Sequence, residues 1–295
     1  MKNIVCFGEV LWDVFPTHKK IGGAPLNVAV RLKSLDNNVS MISCIGEDSI
    51  GSEIVTFLKE KGVNTENIQV DKELRTGEVK VTLDAQGSAS YEIEFPRAWD
   101  NMQLTEDAKK TAKWADAFIF GSLIARDCTS RNTLYELLKL AKFKIFDVNL
   151  RAPHYTTEVL VHLMKSADFI KFNDDEIFEI AKKLGFESQF LEQNILFIAK
   201  ETNAKNICVT KGAHGAILYF NETMFYNSGY KVKVVDTVGA GDSFLASLID
   251  KLLKGTAPQD AINFACAVGA IVASSEGPNP KIEDEVIQKM INSKD

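Results

Sequence analysis

The sequence is poor in the residue types on which several protein classes depend. Its 295 residues include only four histidines and five cysteines. None of the cysteines forms a C-x-x-C pair, and the histidines do not show H-E-x-x-H spacing, so the sequence predicts neither a zinc site nor a transition-metal enzyme. The apolar neighbours of the cysteines favour buried free thiols over disulfides.

Long apolar runs and clustered basic residues are also lacking. No apolar run approaches the roughly 18 residues needed to span a bilayer. Gly8 and Glu9 come too early for the apolar core of a signal peptide, so we expect a cytoplasmic protein. The chain carries 34 basic and 40 acidic side chains, a net charge of −6, without the clustered positive charge that binds phosphate backbones. Neither nucleic acid nor a membrane is an expected partner.

Two nucleotide-binding fingerprints are missing. No G-x-x-x-x-G-K-[ST] segment occurs, which excludes a P-loop. The segment Gly239–Phe244 matches G-x-G-x-x-G only in part, because Phe244 stands where close helix packing needs Gly or Ala. The segment also lies far along the chain from the first strand, where this fingerprint is expected. A dinucleotide-dependent dehydrogenase is therefore disfavoured.

The sequence instead alternates short β-branched runs with longer amphipathic stretches. This alternation predicts an α/β fold in which helices cover both faces of a mostly parallel sheet. Ligands of such sheets bind beyond the carboxyl ends of the strands. Ten helices are predicted between Asn27 and Ile291. The predicted strands are Ile4–Phe7, Val39–Ile45, Ala117–Phe120, Lys144–Val148, Phe169–Phe172, Ile207–Thr210, Ala216–Phe220 and Lys231–Val235.

One segment departs from this rhythm. Thr76–Leu83 and Ser90–Phe95 alternate polar and apolar residues around Asp84–Gly87, which predicts a hairpin solvated on one face. Such a hairpin could be a small lid, a dimer clasp or an edge hairpin of the main sheet. The chain has no repeats or Pro-rich linkers, which favours one domain with a lid over two independent domains.

The strongest local signal is Asp236–Phe244 (DTVGAGDSF), which follows the predicted strand Lys231–Val235. Glycines at a helix start let backbone N–H groups converge on an anion, helped by the positive end of the helix dipole. A carboxylate in that first turn would repel phosphate, but it could take a proton from a hydroxyl that attacks the phosphate. The pattern predicts a base at Asp242; the alternative is a simple helix cap. The predicted anion hole consists of Gly239, Ala240 and Gly241.

Small and polar residues near the N-terminus predict a sugar site. Gly22 and Gly23 permit close backbone approach to a ligand, and Asn27 can both donate and accept hydrogen bonds. Asp13 lies just past the first strand. A carboxylate and an amide beside flexible backbone suit neighbouring sugar hydroxyls, although a helix cap and a turn aspartate are the simpler interpretations.

Three weaker segments follow other strands. Asn173 and Glu176 are three residues apart and could hold magnesium-bound waters near a triphosphate, or could form a capping box. The glycines of Thr210–Gly215 could approach a nucleotide, or could make a tight hairpin turn. Arg151 could bind a phosphate or a sugar, or could form a surface ion pair.

Together these segments resemble the PfkB, or ribokinase-like, family of carbohydrate kinases. Gly22–Ala29 resembles the N-terminal signature of the family, and Ile45–Gly51 is similar to its I-G-x-D-x-x-G. Asn173–Glu176 resembles its N-x-x-E, Thr210–Gly215 its T-x-G-x-x-G loop, and Asp236–Phe244 its D-T-x-G-A-G-D-x-F signature. The five motifs occur in order across almost the whole chain.

The resemblance implies a three-layer α/β sandwich with a mostly parallel central sheet of about nine strands. It also implies a small β-sheet lid, formed by about 11–24 and 74–100, through which two copies form a homodimer. The implied activity is MgATP-dependent phosphorylation of a sugar hydroxymethyl group.

The resemblance also assigns roles by position. Asp242 is the general base beside the anion hole. Glu176 holds Mg²⁺ through water, and Asp236 binds K⁺ together with carbonyls near Val272, Ser275 and Gly277. Cys266 stands where the family often has Asn or His at the adenine. The residues implied for the sugar are Asp13, Gly22, Gly23, Asn27 and Arg151. Those implied for ATP are Asn173, Glu176, Thr210, Gly212, Gly215, Gly241, Asn263 and Cys266.

Within the family, Gly8–Pro16, Gly22–Ala29 and Tyr91–Asp100 look most like bacterial fructokinases. Ribose, 2-keto-3-deoxygluconate, other hexoses and nucleosides remain alternative substrates. A non-catalytic sugar-binding regulator would need Asp13 and Asn27 but neither Asp242 nor the anion hole, so their presence favours an enzyme.

Overall fold

Two β-sheets carry the fold, as seen in a computed structural model that describes residues 1–83 and 89–293. The larger sheet has nine strands and the smaller has four among these residues. The predicted turn Asp84–Gly87 lies outside the described residues. The strands are β1 Asn3–Phe7, β2 Leu11–Val14, β3 Lys19–Gly22, β4 Asn38–Gly46, β5 Asn64–Asp71, β6 Gly77–Leu83, β7 Ala89–Ile93, β8 Ala117–Gly121, β9 Lys144–Asp147, β10 Phe169–Asn173, β11 Asn206–Thr210, β12 Ala216–Phe220 and β13 Thr223–Asn227.

Ten α-helices occur in the same described ranges, as the sequence predicts. Most begin or end within a few residues of their predicted boundaries. They are α1 Ala24–Ser34, α2 Ser49–Glu60, α3 Glu106–Trp114, α4 Cys128–Leu138, α5 Thr157–Ser166, α6 Asp174–Lys183, α7 Leu191–Thr202, α8 Ala240–Leu253, α9 Pro258–Ala273 and α10 Asp284–Asn292.

The nine-stranded sheet has the order β13-β12-β11-β10-β9-β8-β1-β4-β5. The pairs β1–β4, β4–β5, β9–β10 and β10–β11 are parallel, whereas β11–β12 and β12–β13 are antiparallel. The first four residues of β8, β10 and β11 are all buried, so both faces of these strands are covered. The predicted α/β architecture with a large, mostly parallel sheet is confirmed.

The smaller sheet has the order β3-β2-β6-β7. Strand β2 pairs antiparallel with β3 and parallel with β6, and β6 pairs antiparallel with β7. Leu11 and Val79 form a buried apolar cluster with the partly buried Phe15 and Ile93. The predicted hairpin thus belongs to a separate sheet instead of the edge of the main one. Its action as a lid stays a prediction.

The chain divides into two compact units. The first contains Asn3–Phe118 and Leu123–Lys142, and the second contains Ile119–Ser122 and Phe143–Asp295. In the first unit the rings of Phe7 and Phe118 stack with centroids 5.8 Å apart, and α1 packs on β1 and β4. In the second, α8 packs on α9, which in turn contacts β12 and β13.

One predicted strand is wrong. Lys231–Val235 is not a strand, and the edge next to β12 is occupied by β13 instead. The alternation of Lys and Val in this segment is typical of a strand, but Val234 and Val235 are exposed. The backbone N–H of Val235 donates to the carbonyl of Ala273 at 2.8 Å, at the end of α9. A tertiary hydrogen bond therefore replaces sheet pairing at this segment.

A buried ion pair holds the segment that follows the smaller sheet. The guanidinium of Arg126 donates to both carboxylate oxygens of Asp100 at 2.7 Å and to the carbonyl of Glu94 at 2.7 Å. Its centre lies 3.9 Å from the ring centroid of Trp99. Burial raises the pKa of Asp100, although the Arg126 charge opposes this shift. One guanidinium thus holds both ends of the segment 94–100 in place.

Removal of this guanidinium should destabilise the fold strongly. We expect Arg126→Met to lower the free energy of unfolding by about 3–5 kcal/mol, because Asp100 would remain buried without its counterion. Lys139→Met is the control, since the Lys139–Glu136 pair is exposed and such pairs contribute about 1 kcal/mol or less. Urea unfolding of both variants measures the difference. Equal losses would contradict this interpretation.

Candidate active site

The start of helix α8 is the centre of the candidate site in the second unit. Gly239 is the N-cap residue with φ 75°, a left-handed conformation that glycine adopts without strain. A Cβ at this position would collide with the side chain of Pro278. Because the N-cap has no side chain, no side-chain oxygen caps the first turn, although the N–H of Ala240 donates to the carbonyl of Thr237 at 3.2 Å. Asp242 lies in this first turn and is half-buried. The N-cap is Gly239, so Asp242 is the third helical residue and is not the N-cap itself.

A buried lysine lies behind this turn. The Nζ of Lys171, on β10, would be 3.6 Å from a Cβ at Gly241. It forms an ion pair with Asp147 Oδ1 at 3.0 Å, and both side chains are less than a tenth exposed. Burial alone would lower the pKa of Lys171. The negative charges of Asp147, Glu176 and Asp242 raise this pKa by more than burial lowers it, so it lies above the ordinary value. The ammonium group stays charged.

Glu176 joins helix α6 to the loop after β9. Asn173 and Glu176 form a capping box: Asn173 Oδ1 accepts from the Glu176 N–H, and Glu176 Oε2 accepts from the Asn173 N–H, each at 2.8 Å. Glu176 Oε1 accepts from the N–H of Leu150 at 2.9 Å. Burial raises the pKa of Glu176, and the Lys171 charge opposes this. The capping box is therefore present, and Glu176 also holds the backbone next to Arg151 through the N–H of Leu150.

The remaining nucleotide candidates lie in two parts of the second unit. Gly212 begins a 3-10 turn between β11 and β12, with no atom within 4 Å of its Cβ position. A Cβ at Gly215 would collide with the carbonyl of Asn227. The hydroxyl of Thr210 donates to the carbonyl of Phe172 at 3.3 Å. The connection is thus a turn whose outer glycine is open and whose inner glycine is packed.

Asn263 and Cys266 lie on helix α9. The side-chain oxygen of Asn263 accepts from Asn227 at 2.7 Å and from Gln259 at 3.1 Å. Cys266 is buried. At the potassium candidate, the N–H of Asp236 donates to the carbonyl of Ala273 at 3.3 Å. This contact brings the segment of Asp236 to the end of α9.

The first unit holds the predicted sugar residues. The carboxylate of Asp13 lies against the backbone of Gly22, and a Cβ there would collide with Asp13 Oδ2. Asp13 on β2 is in register with Lys20 on β3. Gly23 is the N-cap of α1 with φ 110°, and the N–H of the buried Asn27 donates to its carbonyl at 2.9 Å. Asp13, Gly22, Gly23 and Asn27 therefore surround the start of one helix.

A buried ion pair of the second unit's site, Lys171–Asp147, is not among the residues predicted from the sequence. Both residues lie in predicted strands, Phe169–Phe172 and Lys144–Val148. The signal was available, since a lysine interrupts the apolar run FIKF of β10. A buried lysine needs a partner, and the register of β9 with β10 supplies Asp147 directly opposite.

This fold and the two groups of residues can be compared with known proteins. The structure is similar to an uncharacterized sugar kinase from Pyrococcus horikoshii in complex with ATP, at 28% identity and a TM-score of 0.84, over 98% of this chain and 99% of that one. It is also similar in fold to a fructokinase with bound ATP from Xylella fastidiosa, at 22% identity and a TM-score of 0.88, over 99% of each chain. These similarities define a ribokinase-like α/β protein.

The sequence comparisons identify the family. The family model of pfkB family carbohydrate kinases matches residues 1–285. The probable fructokinase-5 of Arabidopsis thaliana is 31% identical over 323 residues, which cover 99% of this chain and 98% of that protein. The chain therefore belongs to the pfkB family of carbohydrate kinases, and the prediction of a sugar kinase is confirmed. Within the described residues, no helix is both long and apolar enough to cross a membrane.

Proposed function

We propose that this kinase transfers the γ-phosphoryl group of ATP to a primary hydroxyl of fructose. The carboxylate of Asp242 in the uncapped first turn of α8 carries the proposal. Such a turn binds an anion through its amides, and a carboxylate beside it can accept the proton of an attacking hydroxyl. Fructose as the substrate is supported by the relative from Arabidopsis, whose name is probable fructokinase-5.

In this proposal Asp242 is the general base and the first-turn backbone is the anion hole. Phosphoryl transfer needs little covalent help from the protein, so positioning and charge stabilisation dominate. The amides of the turn would hold the transferred group while Asp242 removes the hydroxyl proton. The proposed anion hole consists of Gly239, Ala240 and Gly241.

The nucleotide and its metal would lie beside the α6 start. Carboxylate and amide oxygens are the hard ligands that Mg²⁺ prefers, and Mg²⁺ usually keeps several waters. Both oxygens of Glu176 already accept backbone N–H groups, so contact with Mg²⁺ through water suits this carboxylate. K⁺ would bind at Asp236 and carbonyls of the adjoining 272–277 segment. The proposed ATP contacts are Asn173, Glu176, Thr210, Gly212, Gly215, Gly241, Asn263 and Cys266.

The sugar would be held mainly by Asp13 and Asn27. A carboxylate accepts two hydroxyl hydrogen bonds, and an amide both donates and accepts. The close packing of Asp13 on Gly22 supports this role, because it fixes the carboxylate while leaving little bulk beside it. Gly23 and Arg151 complete the proposed sugar contacts. We also propose a cytoplasmic location, since free cysteines, four of them buried, fit a reducing compartment.

A coupled ADP-release assay tests this function. The phosphoryl acceptors tested would be fructose, ribose, 2-keto-3-deoxygluconate, tagatose and adenosine. We expect the highest kcat/KM with fructose. Asp242→Asn should lower kcat by about 10²- to 10⁴-fold, the usual contribution of a positioned base, while ATP binding survives. No ADP release with any sugar would contradict the kinase assignment. Near-normal turnover by Asp242→Asn would exclude Asp242 as the general base. A higher kcat/KM with another acceptor would exclude fructose as the preferred substrate.

The assignment of Asp13 predicts a selective effect on sugar binding. Asp13→Ala should raise the KM for fructose by about 10- to 100-fold, because charged hydrogen bonds contribute about 1.5–3 kcal/mol. The KM for ATP should change little. Asp107→Ala, on the exposed part of α3, is the control. Equal increases in both KM values would exclude Asp13 from the sugar site.

We further propose that two copies associate through the smaller sheet. Its apolar cluster leaves Phe15 and Ile93 only partly buried, and a second copy would cover them. Phe15→Glu should shift the mass measured by light scattering from that of a dimer to that of a monomer. Phe190→Glu, at an exposed residue of the second unit, should not change the mass. A monomeric wild-type protein would contradict this proposal.

A further inference from the structure

Lys171 is a charged residue inside the most buried part of the second unit. It lies in the middle of β10 between Ile170 and Phe172, which are fully buried, and is itself only 6% exposed. Placing an ammonium group in such surroundings is costly unless it is paired. The apolar strand alone gives no reason for a lysine at this position.

The sheet provides one partner at a fixed position. Lys171 on β10 and Asp147 on β9 are register partners on parallel strands, and their charged atoms are 3.0 Å apart. Asp147 is 4% exposed. A buried pair of this kind is often no more stable than two apolar residues of similar size. Stability alone therefore does not account for the pair.

Two further carboxylates act on this ammonium. In addition to the charge of Asp147, the negative charges of Glu176 and Asp242 raise the pKa of Lys171. The Nζ atom is also 3.6 Å from the position that a Cβ of Gly241 would take. The only positive side chain in this described group thus lies directly behind the first turn of α8. Without it, three carboxylates would repel any anion that approaches the turn.

We propose that Lys171 is a positioning residue of the phosphoryl-transfer site, whose buried ammonium offsets three carboxylates so that the phosphoryl group can approach the first turn of α8. Asp147 holds the ammonium in place through the sheet register. This inference rests on the proposed function. Lys171 acts from behind the turn and does not touch the reacting atoms.

A double variant separates this role from a purely structural ion pair. Lys171→Met/Asp147→Leu removes both charges together and keeps the strands apolar, so it should unfold at a urea midpoint close to that of the wild type. If the pair were only structural, kcat would recover together with stability. We expect kcat per folded molecule to remain about 10²-fold below wild type, the scale of a lost charge-stabilising group.

A second ion pair, at the other end of the same two strands, provides the matched control. Lys144 of β9 pairs with Asp168, just before β10, at 3.2 Å. Lys144→Met should leave kcat within about twofold of the wild-type value. The single variant Lys171→Met should lose both stability and kcat, because Asp147 would stay buried and unpaired.

Binding of a phosphoryl-transfer mimic gives a second readout. MgADP with aluminium fluoride and fructose should bind the double variant about 10²-fold more weakly than the wild type, whereas the affinity for MgADP alone should be unchanged. A double variant with wild-type kcat and wild-type affinity for the mimic would overturn the inference and leave the proposed function intact. A wild-type protein that turns over no sugar would overturn both.

Discussion

The buried charge of Lys171 is the constraint on which the second unit's site depends. A parallel sheet puts Lys171 and Asp147 opposite each other, and the start of α8 packs directly over the ammonium. Glu176 is fixed from two sides by backbone N–H groups. The positions of these charges are therefore set by strand register and helix starts.

This arrangement links local structure to chemistry. The capping box of Asn173 and Glu176 begins α6 and at the same time holds the Glu176 carboxylate against the backbone of Asn173 and Leu150. Gly239 begins α8 without a capping side chain, which leaves the positive end of the helix dipole for an anion. In the first unit, Gly23 begins α1 beside Asp13 and Asn27. These proposed site residues thus lie at or beside helix starts that also help to order the backbone, so a proposed functional residue need not be separate from a structural one.

The sequence predicts the helices and the buried strands of this fold well because their apolar periodicity is strong. It misses β5, whose sequence NTENIQVD is polar and half-exposed, and it misplaces an edge strand at Lys231–Val235 instead of β13. Edge strands receive fewer apolar contacts, so composition marks them weakly. Ordered motifs predict the residues at Asp242, Glu176 and Asp13, but the Lys171–Asp147 pair depends on strand register, which no local motif encodes.

A crystal structure with MgADP, aluminium fluoride and fructose would show where the transferred group binds. We expect amides of the Gly239–Gly241 turn to bind the fluoride complex, with a primary hydroxyl of fructose at hydrogen-bond distance from Asp242 and Lys171 behind the turn. Fluoride bound elsewhere, with Asp242 turned away from the sugar, would contradict this expectation.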